Sequence, residues 1–525
     1  MFSRLASFLV DYDPAKKRYL EEGFSHGFSL LFKGAPFSSF SANHSSALQN
    51  PHVLFNMIQE ELSLGRIAGP FSTPPADPFV VSPLGLVPKK DTGKFRVIHD
   101  LSFPRHCAVN DFITDADATV VYQSFDIIVG HVQRSGAGAL IAKADIESAF
   151  RIIPVRPRDR FLLGFTINGQ YYFDRCLPMG CRSSCAIFEC FSNALQWIAV
   201  NKLGIRLMSH ILDDFIFVGP AGSTITRKSL DSFINLCSFS GIPIKHSKTI
   251  YPSTCVTVHG IELDTVRMQA RLPQDKLNKA RQLVNDFRAK RRVTLKELQS
   301  LLGFLNFACK VVRPGRPFLR RLINLTKGVP FSHYHVYLST QSRADLDAWS
   351  RFLTSFNGIS IFPDVGTINS DFLKMFTDAA GSTGFAGVFG SKWFAHAWPS
   401  GWENVHITTK EMFPIIIILE LWGSCFANRK VLFFTDNAAV ADIINKQTCK
   451  EERTMELVRR LVLASLTHNV LFRARHISGA SNVVADHLSR FSFQTARQIA
   501  PFLDAQPTAI PSCLMTTSWT PQPAT

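Results

Sequence analysis

Long apolar runs are missing from this sequence. The longest, such as Ile415 to Leu419, stop far short of the about 18 to 20 residues that a membrane span needs. The stretch Leu5 to Val10 is too short for a secretory core and runs at once into Asp11, Asp13 and Lys16. No segment recurs at a fixed period, which argues against a solenoid. The 11 cysteines lack C-x-x-C pairs, so no zinc finger or dithiol motif is expected, and Cys181 with Cys185 reads as small packed residues. A cytosolic or nuclear protein with no membrane partner is expected. Acid is the scarcer charge: 41 Asp and Glu stand against 57 Lys and Arg, a net +16. Such an excess suits a polyanionic partner.

The 525 residues, 46% hydrophobic and 19% charged, suffice for about three or four folding units with cores of their own. The 45 phenylalanines read as core packing. Residues 1–80 mix short apolar stretches with Ser, Asn and Pro and read as a loosely packed extension. Strand-like and helical runs alternate over 81–272, as in a mixed α/β domain. Residues 273–370 turn helical and basic, with Arg313-Pro314-Gly315-Arg316-Pro317 as a breaker. A second α/β pattern occupies 371–492, and 493–525, rich in Pro, Thr, Ser and Gln, reads as a disordered tail.

Two sets of acids carry the chemistry. Asp145 ends the strand-like Leu140-Ile-Ala-Lys-Ala, and Asp213 with Asp214 interrupts His210-Ile-Leu-Asp-Asp-Phe-Ile-Phe-Val. Adjacent acids between apolar strands are costly without a cation. A hairpin that brings them beside Asp145 makes a hard-oxygen site suited to Mg²⁺. An isolated Asp-Asp is otherwise a turn pair. In the second α/β segment, Asp378, Glu411, Asp436 and Asp486 fall at the ends of separate elements, a second two-metal candidate, although single acids there commonly cap. Pro414 is expected in or just past the first turn of a helix near Thr408 to Asn428 that opens at Glu411.

The order of motifs narrows this. Ser82-Pro-Leu-Gly-Leu-Val-Pro-Lys-Lys-Asp-Thr-Gly-Lys-Phe-Arg96 is a basic hairpin, followed by Asp145-Ile-Glu-Ser-Ala-Phe150, Leu177-Pro-Met-Gly-Cys-Arg-Ser-Ser184, the Asp-Asp hairpin and Gly241-Ile-Pro-Ile-Lys-His-Ser-Lys248. That set resembles the fingers and palm of reverse transcriptases. Phe376-Thr-Asp-Ala, Thr409-Lys-Glu-Met, Phe434-Thr-Asp-Asn and His476-Ile-Ser-Gly-Ala-Ser-Asn-Val-Val-Ala-Asp486 resemble an RNase H domain. Glu61 to Phe71, Gly260 to Pro273, Leu301 to Phe307 and the Ala-Asp-His-Leu-Ser-Arg ending at Arg490 resemble the DIRS and Ngaro retrotransposons, which pair this polymerase with a tyrosine recombinase.

The resemblance implies a multidomain α/β fold, a right-hand polymerase of fingers, palm and thumb followed by an RNase H-like domain. It implies Asp145, Asp213 and Asp214 as metal ligands of the polymerase. Lys89, with Lys90 as rival, and Arg96 would hold the nucleotide triphosphate. Phe150 would exclude a 2'-hydroxyl, Met179 and Gly180 would pack on the new base pair, and Lys248 would protonate pyrophosphate. Without the motif, Phe150 reads as a core ring and Lys248 as a surface lysine. Asp378, Glu411, Asp436 and Asp486 match the RNase H ligands, and His476 its mobile histidine, or else a strand-end histidine held by its loop. The cofactor is Mg²⁺, two per site, with Mn²⁺ possible. The partners are an RNA template, a DNA primer, the RNA/DNA hybrid and dNTPs, with a separate recombinase of the same element.

The basic residues from Lys276 to Arg292 and Lys310 to Arg321 would then line a thumb that tracks a duplex. Leu212 departs from the family, which often has an aromatic there. The expectation is an RNA-directed DNA polymerase with RNase H activity. The alternative is an inactive or repurposed nucleic-acid-binding protein, while Phe150 and the RNase H segment disfavour an RNA-dependent RNA polymerase.

Overall fold

The computed structural model describes residues 2–89, 93, 95–355, 360–361, 367–427, 429–468 and 470–515. The chain folds as two compact units, Met1–Val258 with Asp264–Arg267, and His259–Leu263 with Met268–Thr525.

The first unit is built on a four-stranded antiparallel sheet in the order Ile250–Ser253, Leu140–Asp145, Asp214–Gly219, Met208–Ile211. Its strands are short, and Phe215 and Phe217 on Asp214–Gly219 are fully buried. The helices Ser184–Asn201 and Ile225–Ser240 present Phe188, Phe191 and Phe233 to the same core. A five-stranded sheet joins Gly164–Ile167 and Gln170–Asp174 to strands drawn from residues 39–81. Ahead of them, Leu84–Pro88 pairs with Phe95–His99 as a hairpin.

Residues 1–80 are not the loose extension expected. Phe2, Leu5, Leu9, Tyr12, Leu20 and Phe28 belong to the main core, and Leu54 and Ile58 from the helix Pro51–Ser63 to a second one. Loop-like composition concealed this, because short apolar stretches bury well once an existing core receives them.

The second unit takes in both residues 273–370 and 371–492. The helices Gln274–Ala289 and Leu295–Ala308 lie in the stretch expected to be helical and basic. The second is opened by a reciprocal cap: Thr294 Oγ1 accepts from the Glu297 amide at 3.2 Å, and the Thr294 amide donates to Glu297 Oε2 at 2.7 Å. That bond to the Thr294 amide, with Lys290, holds the Glu297 carboxyl down at about 2. Thr294→Ala is expected to lower the unfolding free energy of this unit by about 1 kcal/mol, read as a shifted denaturant midpoint.

Several of the basic residues assigned to duplex tracking instead join helices within the protein. Arg281 donates to Leu353 O at 2.9 Å, Arg288 to Asp347 at 2.6 Å and Arg320 to Thr448 at 2.8 Å. Arg321 meets the buried Asp345 at 3.1 Å, and Glu456 as well. Burial pushes the Asp345 carboxyl up to about 6 despite Arg459 and Arg321.

The rest of this unit holds an antiparallel meander, Met375–Ala379, Gly384–Phe389 and Lys392–Ala397, and a parallel set, Thr367–Asn369, Lys430–Thr435 and Leu471–His476. Across them runs the helix Ile407–Trp422. Because it begins at Ile407, Pro414 lies well inside it rather than in or near its first turn. Dense burial of Met412 to Leu419 offsets the missing backbone donor.

The tail read as disordered is folded through residue 515. The helix Phe493–Ile499 and Leu503 pack with Trp393 and Leu488. Trp393 Nε1 donates to Asp504 O at 2.8 Å, and Arg460 Nη2 to Leu514 O at 2.7 Å. Residues 516–525 lie outside the described residues.

Candidate functional site

Strand register builds the first acidic site. Asp145 and Asp214 are direct partners across the central strand pair. Asp213 occupies the tight turn before Asp214, and its carbonyl accepts from the Ile146 amide at 3.1 Å. The turn needs a left-handed residue, and Leu212 takes that conformation at φ 53°. Glu189 Oε2 accepts from the Leu212 amide at 3.2 Å, and Ser192 Oγ donates to the Leu212 carbonyl at 2.8 Å. Leu212 also packs on the core.

Burial, then neighbouring charge, sets the acidity. Burial pushes the Asp145 carboxyl up; Lys248 opposes this and Asp214 adds to it. Asp213 is raised by burial and by the charges of Asp145 and Asp214. Lys248 Nζ donates to Asp145 Oδ2 at 3.0 Å, and Lys143 Nζ to Asp214 Oδ2 at 2.8 Å. Burial pulls the Lys248 ammonium down, and its bond to Asp145 outweighs that and raises it. Lys143 was not singled out from sequence. The signal was available, since a residue two before Asp145 on a strand shares its face and sits diagonally from Asp214.

The other residues expected at this site lie on three segments of the same unit. Phe150, half-buried in the turn Ala149–Ile152, sets its ring edge-on to Phe188 at 5.6 Å. Met179 and Gly180 are exposed on the loop before the helix Ser184–Asn201. Gly180 has φ 129°, and a Cβ there would come within 2.0 Å of the His99 carbonyl, so the loop requires glycine. Asn110 Nδ2 donates to Gly180 O at 2.8 Å, and its Oδ1 accepts from the Arg182 amide at 2.8 Å. Arg96, exposed, pairs in register with Val87 on the hairpin, and Lys89 is exposed just past its first strand. Lys90 lies outside the described residues.

The second acidic site gathers more tightly. Asp378, on Met375–Ala379, Glu411, on the long helix, and Asp436, after Lys430–Thr435, offer oxygens all within 4.8 Å of one another. Burial and then the three other acids push Glu411 up to about 9. Burial pushes Asp378 up to about 6, although Ser489 donates to it at 2.5 Å. Asp486, on the helix Val483–Ser489, pairs with Arg490 at 2.8 Å and adds its charge to both. His476 is exposed at its strand end, with Nε2 donating to Asp436 O at 3.1 Å. Both sites offer hard carboxylate oxygens whose crowding and burial a divalent cation would relieve.

Residues 87–263 match the family model described as Reverse transcriptase (RNA-dependent DNA polymerase). Among curated proteins, Protein P of heron hepatitis B virus is 23% identical over 163 residues, 31% of this chain and 20% of that protein. The chain thus matches about a fifth of that relative's length. Among solved structures, a foamy viral protease-reverse transcriptase in complex with double-stranded DNA aligns at a TM-score of 0.50 and 15% identity. That alignment covers 91% of this chain and 82% of the other, and it speaks to fold. The fold is a multidomain α/β one, a right-hand polymerase followed by an RNase H-like domain. Within it, residues 87–263 form a reverse transcriptase domain.

Proposed function

We propose that the protein is an RNA-directed DNA polymerase with RNase H activity that copies retroelement RNA and degrades the RNA of the hybrid. The observation that carries this is the cross-strand register of Asp145 with Asp214, with Asp213 in the adjoining turn, inside the segment that matches the polymerase family. The Asp378, Glu411 and Asp436 cluster supports the second activity.

In this reading Asp145, Asp213 and Asp214 hold divalent cations in one site, and Asp378, Glu411, Asp436 and Asp486 in the other. Mg²⁺, or Mn²⁺ in its place, would supply charge neutralisation at the reacting phosphate. Lys89 and Arg96 hold the triphosphate, and Met179 and Gly180 pack against the new base pair. Phe150 fills the space a 2'-hydroxyl would need, so deoxynucleotides are preferred. Lys248 keeps a proton at Nζ for the departing pyrophosphate, consistent with its bond to Asp145. His476, exposed beside Asp436, helps product or proton leave. Lys143 holds Asp214 in place on its strand. The motifs that resemble those of the DIRS and Ngaro group make a recombinase of the same element the expected partner.

The test is direct. Purified protein with Mg²⁺ should extend a DNA primer on an RNA template with dNTPs and cleave the RNA of a preformed hybrid. An absence of extension across templates and primers would sink the polymerase reading.

A further inference from the structure

Within the first unit lies a buried charged network that no step above uses. Arg151, the residue after Phe150, is mostly buried. Its Nη1 meets Asp174 Oδ1 at 2.7 Å and its Nε meets Glu61 Oε2 at 2.8 Å. The same Nη1 reaches the Leu177 carbonyl at 3.4 Å. Asp174, itself buried, takes His99 Nδ1 on its other oxygen at 3.1 Å, and His99 Nε2 lies 3.2 Å from the Gly164 carbonyl. The His99 amide donates to Met179 O at 3.3 Å.

We infer that Arg151 is a positioning residue for the nucleotide, and through Phe150 a determinant of sugar selectivity. This rests on the polymerase reading above and deepens it. Three segments assigned to the nucleotide converge on the Arg151 and Asp174 pair. Phe150 is bonded to Arg151 through the backbone. The Leu177 to Gly180 loop is held at its start by Arg151 and at Met179 by the His99 amide. The hairpin bearing Lys89 and Arg96 ends at His99. A displacement of Arg151 therefore moves the sugar gate, the base-pair platform and the triphosphate clamp relative to one another.

The chemistry explains why the residue is an arginine. A planar guanidinium can serve two carboxylates and a carbonyl at once in fixed directions. A lysine ammonium is a point charge on a flexible stem, so it would keep Asp174 neutralised while losing the fork to Glu61. Burial pulls the Arg151 guanidinium down, but Asp174 and Glu61 outweigh it and keep it charged.

The experiment compares Arg151→Lys and Glu61→Gln with the unaltered full chain, in primer extension with dNTPs and with rNTPs. Arg151→Lys should raise the dNTP KM about tenfold with kcat nearly unchanged, and lower dNTP-over-rNTP selectivity at least about fivefold. Glu61→Gln, on the more exposed partner, should shift both the same way by a smaller factor. The unfolding transition of the first unit, which holds both residues, reports whether each variant is soundly made. Should Arg151→Lys fail to fold, Glu61→Gln decides. Unchanged selectivity and KM, or a lower melting temperature with only kcat reduced, would overturn the positioning role. An unaltered chain that extends no primer would instead overturn the polymerase reading, and this inference with it.

Discussion

With Asp213→Asn and Asp214→Asn together, primer extension is expected to fall by at least about 10³-fold while hybrid cleavage stays within about twofold. Asn keeps the volume and the backbone turn. The Leu212 amide and carbonyl keep Glu189 and Ser192, so the hairpin retains its anchors. What is lost is charge: two carboxylates vanish from a site where Lys143 and Lys248 remain, so its local field turns positive and repels a divalent cation. The paired assays are extension on an RNA template and cleavage of a labelled hybrid by the same preparation. Extension that survives the double change would mean these acids do not hold the metals.

The converse pair, Asp378→Asn with Asp436→Asn, should remove hybrid cleavage by at least about 10³-fold and spare extension. A second measurement isolates the metal. Glu411 is held up to about 9 by burial and its acidic neighbours, and Asp378 up to about 6. Both lie above the ordinary carboxylate values, so between roughly pH 4 and 9 the metal-free folded state binds more protons than the unfolded one. Its stability therefore falls as pH rises through that window, while a bound cation relieves the repulsion. Mg²⁺ should raise the melting temperature of this unit more at pH 8 than at pH 6, and Asp378→Asn with Asp436→Asn should largely erase the difference. Equal shifts at both pH values, or shifts that survive the double change, would place the cation elsewhere.

What sequence could reveal follows from how each feature is encoded. Asp145, Asp213 and Asp214 were legible because acids flanked by apolar strand residues have few physical explanations, and register then sets Asp145 opposite Asp214. Asp378, Glu411 and Asp436 were legible through the ordered motifs that carry them, although Glu411 lies a turn inside its helix rather than at its end. Arg151, Asp174, His99 and Glu61 were not, because each is an ordinary polar residue in its local context and only tertiary contact makes a network of them. The basic residues after 273 were misjudged in part for the same reason: composition registers the charge of Arg281 or Arg288 but not the carbonyl or carboxylate each one meets. Pro414 was misplaced because the helix start was set at Glu411, four residues late.

The folded stretch from Phe493 to Met515 has a practical consequence for anyone dissecting this chain. A fragment ending at residue 492, where composition alone suggests cutting, would strip the cover from Trp393 and remove the acceptors of both Trp393 Nε1 and one Arg460 bond. Such a fragment would expose an indole and part of an apolar core, inviting aggregation that could be mistaken for lack of nuclease activity. Expression fragments of the second unit should therefore run past Met515.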